Sequence, residues 1–446
     1  MLENRSFDHM LGYLYADAGN VSPAGQPFEG LTGNEKNADA AGNEVAVFQI
    51  TQSTNNAYLM PGADPGEGYM ATNAQLYGST ANPPAGAVAP MSGFVTNFAA
   101  TLVWESKNPR WSVVPGTTAG DIMGCFTPAA LPVLSGLARG FAVCDHWFGS
   151  APTETLPNRA FACAATSQGH MDDKTRTFTS PSIFGAMTQH NVDWAIYGYD
   201  AEPLTRHTFT DIAGEPASRF GLFSAFAAAA QAGSLPAFTF LEPSWGATGN
   251  SQHPNYNVAA GEQLIHDVYS ALRGSPAWDQ TLLIVTYDEH GGLFDHVPPP
   301  WGAVPPDDSA GEFGFDFTRF GPRVPAVLVS PLIAPGTVFR PAGSTPLDHT
   351  SILKTLENRW GIAPLTARDA AAPDVSGALT LQTPRTDDPL SGVAVPSAAA
   401  PPPGAEQPSH LEEVLADLIS RQHPAGTPEP PLRTHADFQK FTQFRG

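Results

Sequence analysis

The stretch Thr281–Pro300, TLLIVTYDEHGGLFDHVPPP, constrains this chain more than any other. Its first half, Leu282-Leu283-Ile284-Val285, is a continuous apolar and β-branched run. Such a run between polar flanks predicts a buried strand of a sheet covered on both faces. Chemistry follows at once. Asp288, Glu289 and His290 come directly after Tyr287, Gly291-Gly292 turns the chain, and Asp295-His296 precedes a stiff triple proline. Adjacent carboxylates repel, and one takes up a proton unless a cation sits between them. The carboxyl edge of a sheet is where α/β enzymes place ligands. A polar turn capped by an Asp would need neither a second carboxylate nor two histidines.

Other segments carry similar chemistry. Near the start, Leu2–His9 reads LENRSFDH, in which Glu3 and Asn4 offer hard oxygen ligands for a divalent cation. Without a cation the same residues would serve as a capped helix start. In SAPTETLPNRAFACAAT, Pro157 sits well in the first turn of a helix and Thr155 lies just before that helix. A hydroxyl there is either a plain N-cap or a group held among free N–H donors where anions bind. Thr153 is a second hydroxyl two residues away. His253, in NSQHP, stands in a loop, and His349, in LDHTS, stands at a loop-to-helix junction.

The middle of the chain alternates helix and strand. Helices are predicted over 182–190, 222–232 and 261–272, with strands over 193–197 and 237–241. This alternation predicts a parallel sheet with crossover helices. The region 11–110 is irregular and rich in Gly, Asn and Pro, as functional loops are. Beyond Gly361, Pro, Ala, Thr and Asp dominate until one amphipathic helix at 410–420. The formal charge of −21, from 43 acidic and 22 basic residues, disfavours nucleic acid and strongly anionic membranes as partners. No transmembrane segment of about twenty apolar residues occurs. The three cysteines form no CxxC pair, and each is predicted to be a buried free thiol.

Taken together, these segments resemble the bacterial phospholipase C and acid phosphatase family of phosphoesterases, which includes the plant non-specific phospholipases C. The likeness rests on TYDEHGGLFDHVPPP, LENRSFDH, TLPNR, the NSQHP loop and LDHTS, in the family's order from Leu2 to about Gly361. It implies a three-layer α/β/α sandwich of the alkaline-phosphatase type. A catalytic domain would span 1–375, with 376–446 a Pro-rich extension bearing one short helix. The resemblance implies one divalent metal ion (Ca, Mg, Mn or Zn) on Glu3, Asn4, Asp288 and Glu289. It makes Thr155 the nucleophile, His253, His290 and His349 catalytic, and Asn158, Arg159, Asp295 and His296 substrate-binding. The segment Asp64–Tyr69, DPGEGY, departs from the family's DPGH pattern at Glu67, so no substrate role carries over there.

The implied reaction is metal-assisted hydrolysis of a phospholipid or another phosphodiester. The alternatives are an acid phosphatase for small monoesters and a degenerate lipid- or metal-binding module. No signal peptide is visible, and the resemblance implies a strand, and often an export signal, before ENRSFDH. A secreted or periplasmic location is expected if the start lies upstream, and a cytoplasmic one otherwise.

Overall fold

A computed structural model describes residues 1–108, 113–397, 401, 404–422 and 432–445. Parts of the predicted Pro-rich linker lie outside the described residues. Seven strands build the centre: β1 Ala142–Val143, β2 Trp194–Gly198, β3 Phe220–Leu222, β4 Phe238–Leu241, β5 Leu283–Thr286, β6 Ala326–Val329 and β7 Thr337–Val338. They form two sheets, ordered β5-β6-β1-β7 and β3-β2-β4. The second is parallel throughout, as predicted, and helix Phe223–Ala232 links β3 to β4.

The first sheet corrects the parallel expectation. β5 pairs antiparallel with β6, Leu283 opposite Val329 and Thr286 opposite Ala326, and β6 pairs antiparallel with β1. Only β7 runs parallel to β1. The reason is the connection: the long loop after the acidic motif returns the chain without a crossover helix, which parallel neighbours need and antiparallel ones do not. Leu283 and Ile284 are half-buried, so the apolar run is covered less fully than its composition suggests.

The amino terminus joins the two sheets. The Met1 amino group donates to Leu241 O at the end of β4 (3.0 Å). Leu2 N donates to Thr286 O (2.9 Å), and Asp288 N to Leu2 O (3.3 Å). Leu2 thereby runs parallel beside Tyr287 at the carboxyl end of β5.

Helices pack around these sheets in pairs. Helix α1, Pro132–Gly140, lies against α3, Val258–Arg273, and α2, Thr155–Ala164, against α4, Thr350–Trp360. Glu262 of α3 shows why the first pair registers: its carboxylate accepts from Val133 N (2.7 Å) and Leu134 N (2.9 Å) at the start of α1. Free N–H groups at a helix start favour such an anion. Cys125, Cys144 and Cys163 are free and buried, as predicted. Two carboxy-terminal helices, α5 His410–Arg421 and α6 His435–Arg445, follow, one more than predicted. Leu411, Leu415, Ile419 and Phe438 pack on Leu156 of α2, on Leu204 and on Trp245. The extension therefore lies against the helix that carries Thr155.

A buried ionic cluster fixes the loop beyond the acidic motif. Arg323 is fully buried and donates to Asp8 Oδ1 (2.8 Å), Asp295 Oδ1 (2.9 Å) and Asp145 O (3.0 Å). Asp8 Oδ2 in turn accepts from His296 N (2.7 Å). Replacing Arg323 by Met would leave buried Asp295 without its cation and Asp8 with His296 alone. Urea denaturation of Arg323→Met should show a loss of about 3–5 kcal/mol, the scale of breaking a buried ion pair. A loss below about 1 kcal/mol would mean that the cluster does not hold this loop.

Candidate active site

At the carboxyl ends of the strands lies a cavity of about 330 Å³. Thr155 stands in its wall, 2% exposed, and its hydroxyl donates to Asn4 Oδ1 (3.0 Å). Asn4 adopts a left-handed backbone, φ 53°, which Asn tolerates better than most residues. Its Nδ2 donates to Glu67 Oε2. Its N–H donates to Asp288 Oδ1 (2.9 Å). Gly291 is required opposite it: a Cβ there would stand 2.0 Å from Asn4 O, and its φ is +64°.

The predicted residues fall into three groups. Glu3, Thr155 and His253 line the cavity. Asn4, Asp288, Glu289, His290, His349, Asn158 and Arg159 stand behind them. Asp288 is a hub: Oδ1 accepts from Asn4 N and Glu289 N, and Oδ2 accepts from Arg159 Nε (2.9 Å). Arg159 also donates to Leu2 O (3.0 Å) and lies 4.6 Å over the Trp245 ring. The Asn158 side chain accepts from Ala151 N and donates to Ala151 O and Thr153 O, closing the loop before α2. His349 accepts from Trp147 Nε1 (3.3 Å) and donates to Asp288 O. His290 bonds Gln75 Oε1 (2.8 Å). Both histidines are fully buried, and burial pushes the His290 pKa down to about 3. Asp295 and His296 form the third group, placed on Arg323 and Asp8 and absent from the cavity wall.

The structure also distinguishes the two threonines. Thr153 Oγ1 donates to Met171 O (2.7 Å) and takes no part in the wall. The free helix start predicted beside Thr155 is partly filled, because Leu156 N already donates to Asp173 Oδ1 (2.6 Å). Several wall residues escaped the sequence reading: Asp64, Glu154, Asp172, Asp173, Trp245, Tyr256 and His410. Glu154 had a usable signal, since it touches Thr155 in sequence. His410, whose Nε2 lies 3.1 Å from Asp173 O, had none, because it comes from α5 far along the chain.

The wall holds six carboxylates, Glu3, Asp64, Glu67, Glu154, Asp172 and Asp173, and one lysine, Lys174. Glu3 Oε2 and, behind the wall, Glu289 Oε1 are buried without a hydrogen-bond partner. Burial, then Asp288, raises Glu3 to about 8. Burial, then Asp173, raises Glu154 to about 8. Burial raises Asp173 to about 7 and pushes Glu67 and Glu289 well above the carboxylate range. Orphaned buried oxygens with this much like charge suit a bound cation.

A polar cavity at the carboxyl edge of an α/β fold is where enzymes of that class place their ligands. The chain belongs to the phosphoesterase family, whose model matches residues 1–363. It is thus a hydrolase of phosphoric ester bonds, similar to phospholipases C. Non-specific phospholipase C6 of Arabidopsis thaliana is 35% identical over 412 residues, 88% of this chain and 73% of that protein. Phospholipase C A of Mycobacterium tuberculosis is 28% identical over 437 residues, 86% of this chain and 76% of that protein. A solved protein of the alkaline phosphatase superfamily from Vibrio parahaemolyticus is 14% identical. It covers 58% of this chain and 67% of its own, with a TM-score of 0.34, too loose a likeness to argue from.

The raised carboxyls set a pH dependence. Without a cation the folded state binds more protons than the unfolded state between about pH 5, just above the unfolded value of 4.5, and pH 8, the folded value of Glu3 and Glu154. Stability must therefore fall as pH rises through that window. Thermal melts of chelator-treated protein should show Tm falling from pH 5 to pH 8, with Mn²⁺ restoring it most strongly near pH 8. A Tm that is flat with pH and unmoved by Mn²⁺ would contradict this account.

Proposed function

We propose that the protein cleaves a phosphodiester of the phospholipid type through Thr155, with a divalent cation on the carboxylates beneath it. The observation that carries this reading is the Thr155 hydroxyl, turned toward Asn4 in the cavity wall while Thr153 is spent on a main-chain carbonyl. Glu3 and Glu289 offer the open oxygens for a cation, while Asn4 and Asp288 supply support through their existing bonds. A cation bound there lowers the pKa of a nearby hydroxyl and neutralises a phosphate oxygen.

The chain's own groups do the rest. Thr155 Oγ1 donates its proton to Asn4 Oδ1, so its lone pairs are available for attack on phosphorus. The new Oγ–P bond replaces the bond to the leaving alcohol, and the hydroxyl proton passes to water in the cavity. Glu154, beside Thr155 in the wall, is the carboxyl placed to give a proton to the leaving oxygen. Water then releases the phosphorylated head group from Thr155. Six wall carboxylates against one lysine favour a singly charged diester over a dianionic monoester. That balance supports the phospholipase C reading over the phosphatase one.

Thr155→Ala should lower turnover of p-nitrophenyl phosphorylcholine by at least about a thousand-fold, the scale of losing a group at the reacting centre. Thr155→Ser should retain measurable rate, and Thr153→Ala should stay near wild type. Mass spectrometry of enzyme quenched during turnover of this diester should find phosphocholine on Thr155. Wild-type turnover in Thr155→Ala would point to water as the attacking group. Faster hydrolysis of p-nitrophenyl phosphate than of the diester would favour the phosphatase.

A further inference from the structure

We propose that Asp64, Glu67 and His253 form a second divalent-cation site, distinct from the carboxylates around Glu289. One donor atom from each lies within 4.8 Å of the other two. His253 Nε2 stands 3.9 Å from Glu67 Oε2. This separation is too long for a hydrogen bond. It suits donors that share one ion: at ligand distances of about 2.1 Å, neighbouring donors stand roughly 3–4 Å apart.

The imidazole is already oriented for this. His253 Nδ1 lies 3.1 Å from Pro254 O, a contact that places the proton on Nδ1 and leaves the Nε2 lone pair facing Glu67. A ring nitrogen that ligates a metal is commonly fixed in this way by a bond from its other nitrogen. The Tyr256 ring packs on His253 at 4.9 Å and limits its rotation. Asp64 Oδ1 is a buried atom without a hydrogen-bond partner.

The charge balance also points to a cation. Among the described residues, neither Asp64 nor Glu67 pairs with a lysine or arginine. The guanidinium of Arg5 is directed to the carbonyls of Gln252, His253 and Met60 and to His9. The contrast with Asp8, Asp295 and His296 is instructive. That cluster has the same composition, and Arg323 supplies its positive charge. At Asp64 the charge of Arg5 is felt without an ion pair, and among the described residues no lysine or arginine pairs with Glu67. Two carboxylates and one imidazole suit Zn²⁺ or Mn²⁺. Glu67 also holds Asn4, which holds Thr155, so this site is linked to the nucleophile through one side chain.

The full-length protein should be stripped with chelator, dialysed against Mn²⁺ alone or Zn²⁺ alone, and assayed for metal per chain. Wild type should hold two ions. The double variant Asp64→Asn, Glu67→Gln should hold one, and His253→Asn should weaken the same ion at least tenfold by titration calorimetry. Circular dichroism checks that each variant is folded. Metal content that neither the double variant nor His253→Asn disturbs, whether one ion or two per chain in wild type, would overturn the proposal. Glu289→Gln tests the other cation separately: if it leaves the metal content unchanged, the cation assigned above fails while this site stands.

Discussion

The buried pair between Arg159 and Asp288 holds the active region together. Asp288 sits at the end of β5, Arg159 in the helix that begins with Thr155, and the carboxylate also receives the main chain of Asn4. Three segments far apart in sequence therefore meet on one carboxylate. Both partners are buried, so each needs the other: the Coulombic gain is large, and an unmatched charge there would be costly. The guanidinium continues to Leu2 O and the Trp245 ring, which extends the lock to the amino terminus and to the cavity wall. His349 adds a further bond to the Asp288 carbonyl.

Around this lock the molecule accumulates negative charge instead of balancing it. Asp8 and Asp295 have Arg323, and Asp145 has Arg340. The cavity carboxylates have few such partners, and burial raises several of them toward neutrality. A stable fold keeps such a set only where protons or cations fill the role that arginine plays elsewhere.

The carboxy-terminal helices belong to this picture. Leu411, Leu415 and Phe438 pack on Leu156 and Trp245, and Ser409 and His410 complete the wall. Ser409 caps α5 in a reciprocal bond with Glu412, and Glu412 also holds His435 of α6. The cavity thus includes residues beyond the segment that the family model matches.

Much was legible from the sequence. Adjacent unlike groups carry their meaning locally: Asp288-Glu289-His290, the Thr155 segment and Glu3-Asn4 were marked as chemistry because residue type and spacing alone are unusual there. The α/β class followed from alternating apolar runs. Strand direction did not, because an apolar run is the same whether its neighbour runs parallel or antiparallel; the connecting loop decided that for β5 and β6. Nor could sequence say which polar groups would meet. Asp295 and His296 look like their neighbours in the motif, yet the turn at Gly291-Gly292 carries them to Arg323. Asp64 looks ordinary in its loop and His410 at its helix start, yet folding brings both into the wall with Thr155 and His253. Residue type sets what a side chain can do. Long-range packing alone sets its partners, and with them its charge and its access to the cavity.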